Sequence, residues 1–170
     1  LCTPIIYGSS KIAAYHRKAL DLQPVNISII SQAEEAGLNR INIINCADEE
    51  AKVELGKSTT IAGEAAFKAL EAAVNDLKRG VIDVLVTAPI NKHNIQNEQF
   101  HFPGHTEYLE EAFGGPGKKA LMILMSNNLR VALVTGHVPL SEVAALITKE
   151  DIKAKLSIFN QSLKQDFGIV

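Results

Sequence analysis

Residues 60–86, TIAGEAAFKALEAAVNDLKRGVIDVLV, decide the fold class because they join a helical pattern to a strand pattern. In the first part of the stretch, apolar residues recur three and four positions apart, which predicts an amphipathic helix. Thr59 or Thr60 can cap this helix, and Gly80 ends it. Residues 81–86 are a nearly continuous apolar run, which is typical of a buried parallel strand. The stretch therefore predicts a helix that leads into a buried strand.

Strand and helix patterns alternate on both sides of this stretch. Before it, the sequence predicts a strand at residues 2–8, a helix from Ser9 or Ser10 to Leu20, and strands at residues 26–30 and 41–46. After it, the sequence predicts helices at residues 106–113, 139–147 and 149–167, and strands at residues 120–125 and 129–134. Residues 48–57 are charged and weakly patterned, which predicts a loop.

Strands that alternate with helices indicate an α/β fold with a largely parallel sheet flanked by helices. Asn127-Asn128 between the last two strands predicts a tight antiparallel turn, which makes the sheet mixed. No repeat or linker divides the sequence, so we predict a single α/β fragment over residues 1–170.

Composition excludes several classes of protein. The chain has 170 residues, of which 46% are hydrophobic, and a net charge of −2 without any basic cluster. This balance argues against a nucleic-acid partner and against binding to a membrane surface. No apolar run reaches the ~18 residues that a membrane helix needs. The two cysteines, Cys2 and Cys46, are too few for a disulfide framework, so we expect a cytoplasmic protein.

Both ends of the sequence read as interrupted elements. The chain opens without Met on the predicted strand at residues 2–8. It closes on Phe167-Gly168-Ile169-Val170, which reads as a helix stop followed by the first residues of a strand. We interpret the sequence as a piece cut from a longer chain.

Several familiar motifs fail on inspection. Gly56-Lys57-Ser58 resembles the end of a phosphate-binding P-loop, but Ala51 stands where that motif has its first glycine. The glycines of residues 114–117 follow a predicted helix, whereas a dinucleotide fingerprint follows a strand. His105-Thr106-Glu107 has the H-x-E pattern of zinc deaminases without the downstream cysteine pair.

Three polar clusters remain, at residues 87–92, 103–107 and 135–140, and each follows a predicted strand or opens a predicted helix. Ligands of parallel α/β sheets sit beyond the carboxyl ends of the strands, so these clusters are candidates for a site.

Each cluster offers one kind of chemistry. Thr106 and the free N–H groups of a helix start can hold an anion, and His105 can donate a hydrogen bond or transfer a proton. Lys92 can balance a phosphate, and His137 can ligate a metal. The alternative is that these residues only shape turns, cap helices or face solvent. A metal site needs about three protein ligands, and the sequence offers His137 alone.

Three segments resemble one known family, in their order and in their spacing. They are VTAPINK at residues 86–92, FPGHTEYLE at residues 102–110 and LRVALVTGHVPL at residues 129–140, together with Gly63 in the alanine-rich helix. The family is the 4-hydroxythreonine-4-phosphate dehydrogenases of vitamin B6 biosynthesis. The resemblance covers most of the chain.

The resemblance implies an oxidative decarboxylation in pyridoxal phosphate biosynthesis. The family oxidises the small phosphorylated substrate 4-phosphohydroxy-L-threonine with NAD and a divalent metal cation such as zinc, magnesium or cobalt. His105 and Thr106 align with the family's substrate-binding pair, and His137 aligns with the first of its three metal-ligating histidines. The implied fold is similar to that of isocitrate and isopropylmalate dehydrogenases, so the chain would be a fragment of a larger two-lobed enzyme. The implied assembly is a homodimer with its active sites at the subunit interface.

The sequence also departs from the family's pattern. The opening glycine-rich turn, the two segments that carry the other metal histidines, and most of the NAD site do not occur in it. Catalytic and cofactor-binding residues therefore stay unassigned, and we expect the piece to be inactive alone. Two alternatives stay open. The first is a dehydrogenase of the same family for a phosphorylated sugar acid or a dihydrodiol carboxylate. The second is a non-catalytic scaffold domain, if the gene ends near Val170.

Overall fold

A computed structural model of the chain describes residues 2–47, 53–115 and 119–169. Contacts divide the chain into two compact units, Leu1–Gly115 and Pro116–Val170, and each unit is described by itself. The interpretation of one undivided fragment of a two-lobed enzyme stays a prediction. Residues 48–52 of the predicted loop lie outside the described residues, and residues 53–57 contain a turn. Among the helices in the described ranges, none is long and apolar enough to span a bilayer.

The first unit contains a parallel sheet of three strands, β1 (Ile5–Gly8), β2 (Ile27–Ile30) and β3 (Ile41–Asn45), in the order β1-β3-β2. The central strand is β3, and its Asn42 and Ile43 are fully buried. Central strands are covered on both edges and both faces, which suits the β-branched residues of β3. The predicted α/β class, with parallel strands and helices, is confirmed.

Three α-helices accompany this sheet, α1 (Ser10–Ala19), α2 (Thr60–Lys78) and α3 (His105–Phe113), together with a short 3-10 helix at Ala33–Glu35. The predicted caps are confirmed. Ser9 Oγ accepts a hydrogen bond from the Ile12 N–H at 3.3 Å, and Thr59 Oγ1 accepts one from the Ala62 N–H at 3.2 Å. Each cap satisfies an N–H group that has no partner inside its helix. Gly80 follows α2 with φ +71°, a conformation that favours glycine.

Polar contacts fix the C-terminal part of α2 against β1. The Tyr7 hydroxyl donates a hydrogen bond to Asp76 Oδ2 at 2.7 Å. Arg79 contacts Asp76 Oδ1 at 2.8 Å and Glu34 Oε1 at 2.5 Å. Burial raises the pKa of Tyr7, and the hydrogen bond to Asp76 raises it further, so the hydroxyl keeps the proton that it donates.

The core of the first unit forms between α2 and the chain that leads into α3. Its buried side chains are Phe67, Leu70 and Val74 of α2, with Ile95 and Phe100 of the following segment. Ile95 and Phe100 are completely buried, and the rings of Phe67 and Phe100 meet edge to face at 5.8 Å. This core fixes a segment that has no regular secondary structure of its own.

Residues 81–86 correct one prediction, because they form no strand. Strands need a hydrogen-bonded neighbour, and none of the described strands pairs with this segment. Leu85 packs against the core, whereas Val84 and Val86 are 70% and 88% exposed. High β-propensity is therefore not sufficient to form a strand here, because the segment has no partner for a ladder among the described strands.

The second unit contains an antiparallel hairpin of β4 (Ile123–Ser126) and β5 (Leu129–Ala132), followed by α4 (Leu140–Leu146) and α5 (Lys149–Gln165). Asn127 takes φ +46° in the tight turn, as the Asn-Asn pair predicts. Thr148 caps α5 by accepting a hydrogen bond from the Asp151 N–H at 3.1 Å. The prediction of one mixed sheet is wrong for the described residues, because the parallel and antiparallel strands form separate sheets.

Gly63 marks the closest approach between α2 and the segment that carries Asn94. A Cβ atom on Gly63 would lie 1.7 Å from the Asn94 carbonyl oxygen and 2.3 Å from its carbon. Real atoms do not approach so closely, so only glycine allows this packing.

The substitution Gly63→Ala should therefore destabilise the protein by about 2 kcal/mol or more, since backbone atoms must move apart. On an exposed helix surface the same change would stabilise the protein by up to about 1 kcal/mol. The sign of the change in the free energy of unfolding therefore distinguishes the two situations. Urea denaturation measures the change. Gly115→Ala is the control, because nothing lies within 4 Å of its added Cβ. A stabilised Gly63→Ala variant would contradict the close approach.

Candidate functional site

The predicted anion-binding residues open helix α3. His105 and Thr106 are its first two residues, and Gly104 is its N-cap. Gly104 has no side chain to cap the helix, and its carbonyl accepts the first helical hydrogen bond, from the Tyr108 N–H at 3.3 Å. N–H groups at a helix start point outward with partial positive charge, so this end of α3 suits an anion.

Two charged side chains adjoin this helix start. A Cβ atom on Gly104 would lie 3.9 Å from the Lys92 ammonium nitrogen and 3.5 Å from Glu107 Oε2. Glu107 in the first turn stabilises the helix dipole, whereas the Lys92 ammonium adds a positive charge beside it. An anionic group placed here would contact the ammonium and the helix N–H groups together. The structure thus brings Lys92 to the start of α3, although His105 and Thr106 lie thirteen and fourteen positions further along the chain.

His105 is half-buried, and burial lowers its pKa from the ordinary value of 6.5. Burial disfavours the charged imidazolium, so the ring is neutral at neutral pH. A neutral imidazole can both donate and accept a hydrogen bond, or take up a proton. Thr106 exposes its hydroxyl beside it.

Asn91 shapes the turn that carries Lys92. Its side-chain oxygen accepts hydrogen bonds from the N–H groups of His93 and Asn94, at 3.0 and 3.2 Å. Its amide nitrogen donates to Ser58 Oγ at 3.2 Å, just before α2. The sequence prediction missed this role, although the density of amide side chains in residues 91–99 was the available signal.

His137, the predicted metal ligand, lies in the second unit, on the loop between β5 and α4. Its side chain is exposed, and an imidazole in such a place is accessible to a metal ion. Within residues 2–47, 53–115 and 119–169, no three His, Cys, Asp or Glu side chains are grouped closely enough to hold a metal. His137 fits the role of one ligand, and the residues present do not complete a site.

Two of the three predicted clusters lie away from the carboxyl ends of the parallel strands. Residues 87–92 follow the irregular segment, and residues 135–140 follow an antiparallel strand. The carboxyl ends of the parallel strands carry Ser9, Ser10 and Asn45 instead. Ser9 caps α1, and Asn45 Oδ1 accepts a hydrogen bond from the Ser10 N–H at 2.8 Å, so both side chains already have partners at the start of α1. The candidate site therefore depends on α3 and its preceding segment.

Comparison with known proteins gives consistent matches. The family model described as pyridoxal phosphate biosynthetic protein PdxA matches residues 1–170. A 4-hydroxythreonine-4-phosphate dehydrogenase from Bacteroides thetaiotaomicron is 62% identical over 169 residues, which are 99% of this chain and 46% of the relative. The enzyme of the same name from Sulfurihydrogenibium sp. is 38% identical over 167 residues, which are 97% of this chain and 50% of the relative.

Solved structures agree in fold. A 4-hydroxythreonine-4-phosphate dehydrogenase from Burkholderia phymatum superimposes with a TM-score of 0.79 and 28% identity, over 95% of this chain and 49% of that chain. One from Klebsiella pneumoniae gives a TM-score of 0.81 and 22% identity, over 94% of this chain and 49% of that chain. The chain thus spans about half the length of the curated relatives and solved structures that it matches.

The lowered pKa of His105 predicts how stability depends on pH. The unfolded chain takes up a proton near pH 6.5, before the folded chain does, so the free energy of unfolding should fall as the pH is lowered through 6.5. His105→Asn should reduce this fall, which urea denaturation at acid and neutral pH measures. His93→Asn is the matched control, because it removes an imidazole that is exposed. If the free energy of unfolding depended on pH identically in the wild type and in His105→Asn, the lowered pKa of His105 would be refuted.

Proposed function

The chain belongs to the family of the pyridoxal phosphate biosynthetic protein PdxA, and from that premise we propose that its full-length form oxidises 4-phosphohydroxy-L-threonine. Full-length here means a chain as long as the curated relatives. The observation that carries this proposal is the 62% identity, across 99% of the chain, with a 4-hydroxythreonine-4-phosphate dehydrogenase. The proposed role is a step of pyridoxal phosphate biosynthesis.

The start of α3 supports a phosphorylated substrate. His105 and Thr106 are the proposed substrate-binding pair, and Lys92 stands beside them with its ammonium group. A phosphate or carboxylate would gain hydrogen bonds from the helix N–H groups and a charge contact with Lys92. The neutral His105 adds a hydrogen bond without altering the net charge of the site.

The proposed reaction is an oxidation followed by a decarboxylation. The substrate's hydroxyl-bearing carbon loses a hydride and the hydroxyl loses a proton, and the β-keto acid that results releases CO₂. When bound, NAD would accept the hydride, and a divalent cation such as zinc, magnesium or cobalt would polarise the hydroxyl. His137 is the proposed metal ligand of this chain, and the other ligands would lie outside the described residues.

The remaining proposals concern the whole protein. They are a fold like that of isocitrate and isopropylmalate dehydrogenases, a homodimer with interface active sites, and a cytoplasmic location. The half-length span of this chain supports the further proposal that these 170 residues do not catalyse alone.

Purified full-length protein should produce NADH from 4-phosphohydroxy-L-threonine in the presence of a divalent cation, as measured by NADH absorbance. A panel with a phosphorylated sugar acid and a dihydrodiol carboxylate is the control for substrate choice. If the protein turned over one of these two compounds and not 4-phosphohydroxy-L-threonine, that compound would become the proposed substrate. No turnover of any compound, in protein whose circular dichroism shows a folded state, would overturn the enzymatic assignment.

His137→Ala in the full-length protein should remove bound metal and lower turnover by about a hundredfold or more, since even outer-shell changes cost about 10–100-fold. Metal content by mass spectrometry and NADH production measure the two effects. His16→Ala, another exposed histidine, is the matched control and should retain both properties. Normal metal content in His137→Ala would show that His137 is not a ligand.

A further inference from the structure

The segment between α2 and α3 that carries Lys92 is held by amide side chains. Its residues 91–99 read NKHNIQNEQ. Asn97 Oδ1 accepts hydrogen bonds from the N–H groups of Gln99 and Phe100, at 2.7 and 2.8 Å. Asn94 Nδ2 donates to the Thr59 carbonyl at 3.0 Å, at the start of α2. With Ile95 and Phe100 fully buried, the middle of this segment is fixed to the core.

Gln96 has a different role, because it joins the two ends of the segment. Its amide nitrogen donates to the Lys92 carbonyl at 3.2 Å and to the Phe102 carbonyl at 2.9 Å. Lys92 lies in the turn after Asn91, and Phe102 lies two positions before the N-cap Gly104. One amide group thus connects the turn that carries Lys92 to the residues that directly precede α3.

This connection accounts for the proximity of Lys92 to the helix start. The Lys92 Cε and Nζ atoms would lie 3.7 and 3.9 Å from a Cβ atom on Gly104. Burial of Ile95 and the hydrogen bonds of Asn91 fix the turn around Lys92, whose own side chain is exposed. The two hydrogen bonds of Gln96 add a direct link between the Lys92 carbonyl and the chain entering α3.

We propose that Gln96 is a positioning residue of the substrate site, which keeps Lys92 beside the start of α3 where His105 and Thr106 bind the substrate's anionic group. This inference rests on the proposed function. Gln96 touches no substrate and acts through Lys92. Its side chain is exposed and its hydrogen bonds compete with water, so it adds little to stability. Its effect is geometric, because the Lys92 ammonium contacts the substrate's anionic group only while it lies beside the start of α3.

The test compares Gln96→Met with Gln99→Met in the full-length protein. Methionine keeps the length of glutamine and removes both donated hydrogen bonds. Gln99 is the matched control because it lies in the same segment, is exposed, and uses only its backbone N–H in the hydrogen bonds described. A second pair, Gln96→Glu and Gln99→Glu, keeps the side-chain shape and introduces the same charge at both positions.

Steady-state kinetics with 4-phosphohydroxy-L-threonine should show a KM raised about tenfold in Gln96→Met, with kcat changed less than about twofold, because binding away from the reacting carbon is lost. Gln99→Met should match the wild type, and all melting temperatures should agree. A KM for Gln96→Met equal to that of Gln99→Met would overturn the proposal. A loss of kcat with KM unchanged would overturn it too.

A second readout separates this proposal from the proposed function. Nuclear Overhauser effects between the Lys92 side chain and the Gly104 backbone report the proximity of Lys92 to the helix start. If the wild type turns over no substrate, the proposed function fails, and these effects alone decide on Gln96. Loss of the effects in Gln96→Met and not in Gln99→Met supports the positioning role. Equal effects in the two variants refute it.

Discussion

The contact between α2 and the irregular segment that follows it is the constraint on which the first unit depends. Gly63 lets the backbone of Asn94 approach the helix more closely than any side chain would allow. Ile95 and Phe100 then bury completely against the aromatic and aliphatic face of α2. Burial of such side chains contributes roughly 2–3 kcal/mol each, enough to order a stretch that has no helix or ladder of its own. The position of α3 follows from this packing.

Electrostatics at the start of α3 follow from the same packing. The segment fixed by Ile95 and Phe100 brings the Lys92 ammonium to the positive end of the helix dipole. Such an arrangement is unfavourable without a compensating negative charge, and Glu107 supplies part of it. Burial also keeps His105 neutral, which limits the positive charge at this helix end. The result is a helix start with hydrogen-bond donors in excess, which suits the anionic group of the proposed substrate.

The candidate functional residues are distributed over two compact units. His105, Thr106 and Lys92 belong to the first, and His137 belongs to the second. The chain spans about half the length of its curated relatives, and in the described residues a single candidate metal ligand occurs without a cluster around it. The described residues therefore include the proposed substrate-binding pair and one proposed metal ligand.

The sequence by itself determined the elements whose signals are local. Caps at Ser9 and Thr59, the stop at Gly80 and the turn at Asn127 depend on hydrogen bonds and φ angles within a few residues. The sequence also predicted the start of α3 to within one residue of His105, because a helix start is a local feature. Only the tertiary structure decided that residues 81–86 have no strand partner, that Lys92 lies beside Gly104, and that Gln96 joins the ends of its segment. The physical reason is that pairing and packing depend on contacts between residues distant in sequence, which local patterns do not encode.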